Sequence, residues 1–187
     1  MVFSPGMEYQ ITNKVEIHSK LIADGNCKKH ITIRSGVPMT PSLFVNMAPS
    51  AQTVNYCDIR FMHAINGFNA INSGDLGYNV GWTFINNGTT KYWVGNTGIW
   101  HNQQSWALTS GGTPGACIPG PFDDVVFDQN SFSSTNDTVK ALGSNITCHD
   151  MTWTSGTQTP VFRVSEELNA FYTGSIALIK DMKWEYY

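Results

Sequence analysis

Four side chains between residues 123 and 130 come closest to a chemical centre. Asp123, Asp124, Asp128 and Asn130 cluster carboxylate and amide oxygens, the donors that hard cations prefer. They are the candidate calcium site, with turn formation through backbone hydrogen bonds as the competing role. Asp75 and Asn79 pose the same choice. Asp124, Val126 and Asp128 share one strand face, yet no His, Lys or Arg lies near them in sequence. General acid–base work of the kind a glycan hydrolase needs therefore has no sequence signature here.

The five histidines, His18, His30, His63, His101 and His149, are scattered and show no metal-ligand spacing. Trp93, Trp100 and Trp106 offer a different chemistry, because exposed planar rings stack on sugar faces. They are the candidate ligand-binding residues. The competing role is core, since Gly-rich loops need large side chains to pack beneath them. With these alternatives weighed, the chain is expected not to be an enzyme.

The four cysteines fall two in each half and form no CxxC pair. Disulfides Cys27–Cys57 and Cys117–Cys148 are the expected pairing and would place the chain in an oxidising compartment. Four buried free thiols are the alternative, and a metal site the remainder.

These groups must be positioned by short strands. Charged residues make up only 13% of the 187 residues, about half the usual share, while small polar residues are plentiful. Apolar or β-branched runs occur at Val15-Glu16-Ile17, Ile31-Thr32-Ile33-Arg34, Val54 to Phe61, Val125-Val126-Phe127, Val139 to Leu142, Ile146 to Trp153, Val161 to Val164 and Ile176 to Trp184. Each is bounded by turn formers. Only 165–170 carries a turn of helical pattern.

An internal repeat gives these strands an arrangement. Gly143-Ser144 and Asp150-Met151-Thr152-Trp153 recur at an offset of 31 as Gly174-Ser175 and Asp181-Met182-Lys183-Trp184. A shorter match links Ile33-Arg34 to Ile59-Arg60 at an offset of 26. Periods of 20–50 residues mark stacked units that cannot bury an apolar face alone. The expected fold is all-β, a parallel β-helix or β-solenoid of stacked short strands. A Gly- and Trp-rich junction interrupts it, separating solenoid coils over 1–90 from a second β module over 91–187.

The net charge of −3 and the lack of a basic cluster argue against nucleic-acid binding. No apolar run approaches the length of a membrane helix. The start of the chain has no signal-peptide pattern, and its end shows no capping element. The chain is accordingly expected to be a segment of something longer, its edge continued by neighbouring repeats or covered by an edge-pairing protein.

The stretch Lys91-Tyr92-Trp93-Val94-Gly95-Asn96-Thr97-Gly98-Ile99-Trp100, with Ser105-Trp106 and Asp123-Asp124-Val125-Val126-Phe127-Asp128, resembles a module of very large secreted surface proteins of Bacteroidota. These include adhesin-like cargo of type IX secretion and gliding motility. Ile31 to Ser35, Val54 to Arg60 and Asp75 to Phe84 resemble the β-helical coils that accompany it. The resemblance implies an extracellular location at the bacterial cell surface and a structural or adhesive role. Two other roles remain open: carbohydrate binding as an accessory to a secreted glycan-active enzyme, and cargo recognised by the export or gliding machinery.

Overall fold

The computed structural model describes residues 1–142, 146–154, 158–165, 170–172 and 174–186. Among them strands dominate, and the helical structure is a single 3-10 turn, Gln103–Ser105. The expected helical turn at 165–170 falls largely on residues outside the described set. The chain divides into two compact units, Met1–Asn87 and Gly88–Tyr187.

In the first unit, Glu8–Ile11, Ile31–Ser35, Cys57–Arg60 and Gly74–Asp75 form one parallel sheet. Lys14–Ile17, Ser42–Asn46, Met62–Ile71 and Val80–Ile85 form a second, and Gln52–Asn55 also pairs with the ten-residue strand Met62–Ile71. Val2–Phe3 and Ile22–Ala23 make a third, two-stranded sheet. The core between them holds Ile31, Ile33, Phe44, Ile59, Met62 and Phe68.

In the second unit, Trp106–Ala107, Thr90–Trp93, Asp124–Phe127, Met151–Trp153 and Ile176–Ala177 make a mixed sheet whose first pair is antiparallel. Gly98–Ile99, Thr138–Ala141, Val161–Val164 and Lys183–Tyr186 make a parallel one. Ile146–Cys148 pairs with Ala170–Tyr172.

The all-β expectation holds, but the solenoid does not: the strands belong to separate parallel and mixed sheets, with no single continuous wall. The corners show why. The run expected from Val54 to Phe61 breaks at Tyr56, and its last residue, Phe61, is itself a corner. Their φ values of 49° and 54° lie in the left-handed region that bulky residues seldom adopt. Gln52–Asn55 and Cys57–Arg60 consequently go to different sheets.

The repeat register also differs from expectation. Met151 pairs with Ile176 and Phe162 with Trp184, so the two Asp-Met-x-Trp copies are not in register. The run from Ile176 to Trp184 is two strands, Ile176–Ala177 and Lys183–Tyr186, assigned to different sheets. The 26-residue offset is a true register, since Ile33 pairs with Ile59 and Arg34 with Arg60.

The cysteine pairing is a further correction. Cys57 and Cys148 are buried free thiols, whereas Cys27 and Cys117 are disulfide-bonded. Cys57 opens an inward-facing strand, with its thiol donating to Ala23 O at 3.4 Å. Cys148 lies on a strand whose three residues are all buried. Both thiols are used as core side chains, while the cysteines expected to pair with them are oxidised.

Candidate functional site

The three candidate tryptophans are core. Trp93, Trp100 and Trp106 are fully buried, and Trp106 meets Trp93 and Trp100 edge to face at centroid distances of 5.1 and 4.9 Å. Phe127 packs against all three, and Trp153 stacks on it at 3.8 Å. Such pairs add about 0.5–1.5 kcal/mol each beyond their area burial. The Trp106 indole N–H donates to Trp100 O at 2.7 Å and that of Trp93 to Asn96 O at 3.0 Å. The rings thus pin the Gly-rich loops, and their faces are closed to a sugar.

The expected calcium quartet does not assemble. Asp123 is buried; Thr89 donates to its Oδ1 through both N–H and hydroxyl, at 2.9 and 2.8 Å, and Gly120 N–H donates to Oδ2 at 3.0 Å. Lys91, also buried, donates to the Thr89 hydroxyl and stands 3.8 Å from Asp123 Oδ1. Asp128 Oδ1 accepts from Asn130 N–H and the Ser131 hydroxyl, and the Asn130 amide donates to Ser110 Oγ. Asp128 is spent on a turn, as small polar residues at strand ends often are, while Asp123 and Asn130 tie their segment to Thr89 and Ser110. Asp75 is spent likewise, accepting from Gly77 N–H and from Asn79, whose amide also reaches Ile59 O.

Asp124, the neighbour of Asp123 on an alternating strand, faces the other way and meets two residues that sequence reasoning passed over. In-register pairing of Val125 with Met151 sets Asp150 beside Asp124 on the next strand. His149, just before Asp150, holds its Nδ1 2.9 Å from Asp124 Oδ1 and 3.7 Å from Asp150 Oδ2. Backbone bonds fix the arrangement: His149 N–H donates to Asp123 O, Asp150 N–H to Asp124 Oδ1, and Gly174 N–H to His149 O.

Ser175 pins Asp150 from the following strand, donating to its Oδ1 through N–H and hydroxyl. Gly174 is required here, because a Cβ would stand 1.9 Å from that oxygen. The three side chains are 37–49% exposed. Hydrogen bonding to Asp124, opposed by slight desolvation and aided by both carboxylates, raises the His149 pKa above its usual value. The Ser175 hydrogen bonds hold the Asp150 carboxyl below its usual range. Among the described residues this is the one group of three or more His, Cys, Asp or Glu side chains whose ligand atoms all lie within 4.8 Å of one another.

A signal for the triad was present in the sequence. Asp124-Val125-Val126-Phe127 and Asp150-Met151-Thr152-Trp153 share an Asp three residues before an aromatic, at an offset of 26. The competing match to residues 181–184 obscured it.

The first unit carries a related pair. His30 Nδ1 lies 3.1 Å from Asp58 Oδ2, with side-chain exposures of 18% and 14%, and the His30 ring meets Tyr56 at 5.5 Å. On this unit's surface, Tyr78 stacks on Phe61 at 4.4 Å with the two rings parallel, and the Arg60 guanidinium lies 5.3 Å from the Phe61 ring. Tyr78 is 70% exposed, and its φ of 59° is also left-handed.

Compared with family models, curated proteins and solved structures, the chain matches none. No helix among the described residues is long and apolar enough to cross a membrane. The disulfide is the feature that bears on location, and it points to an oxidising, extracellular environment.

Proposed function

We propose that this chain is a structural and adhesive segment of a large exported bacterial cell-surface protein and turns over no substrate. The observation that carries the reading is the use made of its most reactive side chains. Asp123, Lys91 and Asp128 are buried in turn networks that fasten strands, and the three tryptophans fasten loops. Such a construction invests polar groups in shape, as a load-carrying module requires. The resemblance to Bacteroidota surface proteins and the disulfide support the same reading. Mild protease treatment of intact cells that produce the parent protein tests it. Release of the segment and loss of cell attachment to surfaces are expected; a segment protected inside the cell overturns the proposal.

A second reading, glycan contact, is favoured by Tyr78 in place of the tryptophans. One ring face rests on Phe61 and the residue is 70% exposed, an arrangement suited to stacking on a sugar. A glycan array probed with the native chain and with Tyr78→Ala tests it. Binding lost in the variant supports this reading, and no binding by the native chain removes it.

A further inference from the structure

We propose that Asp124, His149 and Asp150 bind one divalent first-row transition ion of the zinc class. One nitrogen and two oxygen donors, brought together by the pairing of neighbouring strands, all lie within 4.8 Å of one another, close to the separations that an ion imposes on its ligands. Two bonds of about 2.1 Å place their donor atoms about 3.0 Å apart at an octahedral right angle and about 3.4 Å apart at a tetrahedral one. His149 Nδ1 lies 2.9 Å from Asp124 Oδ1 and 3.7 Å from Asp150 Oδ2, values on either side of that range. An ion entering between them needs His149 and Asp150 to close by a few tenths of an ångström and the two carboxylates to turn toward each other.

The surroundings separate this group from an ordinary surface ion pair. A single proton on Nδ1 serves one carboxylate, and Asp124 receives it at 2.9 Å. Asp150 Oδ2 faces the same nitrogen at 3.7 Å, too far for a hydrogen bond. Its other oxygen is held from behind by Ser175, in space that only a glycine at position 174 leaves open. A second layer of backbone donors that fixes carboxylate orientation is what ligating groups require. On binding, the ion replaces the Nδ1 proton, which passes to water, and the nitrogen lone pair forms the new bond.

The donor set selects the ion. An imidazole with two carboxylates suits Zn2+, Ni2+ or Co2+, whereas Ca2+ seeks six to eight oxygen ligands. Half-exposure of the three side chains leaves the remaining coordination positions to water or to a donor from another molecule.

Calorimetric titration of the full chain, stripped with chelator, with ZnCl2, NiCl2 and CaCl2 tests the site. One equivalent of Zn2+ should bind, with Ni2+ comparable and Ca2+ at least a hundredfold weaker. His149→Ala should weaken Zn2+ binding tenfold or more, and Asp150→Asn similarly, while His18→Ala should leave it unchanged. The circular dichroism of each variant reports whether it is folded; His149→Ala alone decides the matter if Asp150→Asn misfolds. Absence of Zn2+ binding up to millimolar concentration, or a loss under threefold in His149→Ala, overturns the proposal.

Discussion

Each unit of this protein pairs a histidine with an aspartate on a neighbouring strand, and the two pairs face different environments. His30 and Asp58 in Met1–Asn87 are mostly buried, with the Tyr56 ring against the imidazole. His149 in Gly88–Tyr187 is half-exposed and meets two carboxylates, Asp124 and Asp150. The same residue types, 28 residues apart in one unit and 25 in the other, thus divide between fastening strands and remaining accessible. Depth, more than chemical type, sets the role. The contrast is sharpest at Asp123 and Asp124, neighbours on one chain with one carboxylate enclosed and the other in solvent.

Substitutions ranked by depth test that difference. Asp123→Ala should have the largest effect, a loss of about 3–5 kcal/mol in denaturant unfolding, because it removes three hydrogen bonds and strands the buried Lys91 charge. His30→Ala should cost about 1–3 kcal/mol by leaving Asp58 partly buried without its partner. His149→Ala should shift unfolding by no more than about 0.5 kcal/mol, as surface changes do. If His149→Ala proved as costly as His30→Ala, the division by depth would fail.

A smaller effect gives the sign of the outer pair. The His149 pKa is raised when folded, so protonation favours the folded state. That contribution is complete below the unfolded histidine value of about 6.5 and is lost as pH rises through the folded value. NMR titration of His149 in metal-free protein should place its midpoint above 6.5, and Asp124→Asn should lower it. A midpoint unmoved by that substitution would show that Asp124 does not hold the charge.

Much of the strand content was legible because alternation and β-branching survive translation into structure. Ile31 to Arg34, Val125 to Phe127 and Val161 to Val164 all lie in strands. Ser42–Asn46 was not, because its ends, Ser42 and Asn46, point inward and hydrogen-bond there, breaking the expected apolar pattern. The sheet architecture was illegible for another reason: Tyr56 and Phe61 do not announce left-handed corners as glycine does. The tryptophans were found by type, but burial decided between their two roles. The outer triad needed a parallel register, which pairs residues 25 or 26 apart, and its one trace, the Asp-x-x-aromatic match at 124–127 and 150–153, competes with the match to 181–184.

The four cysteines carry a consequence for the order of events in maturation. Four thiols allow three fully paired connectivities, yet the finished chain leaves two of them reduced. Burial raises the thiol pKa of Cys148 to about 12 and that of Cys57 further still, so neither supplies the thiolate that disulfide exchange needs. Before the strands pack, all four sulfurs are chemically equivalent. Once the strands have packed around Cys57 and Cys148, those two are withdrawn from exchange and the core acts as a protecting group. Oxidation of the unfolded chain should yield scrambled, poorly refolding species on a non-reducing gel, and oxidation after refolding a single one.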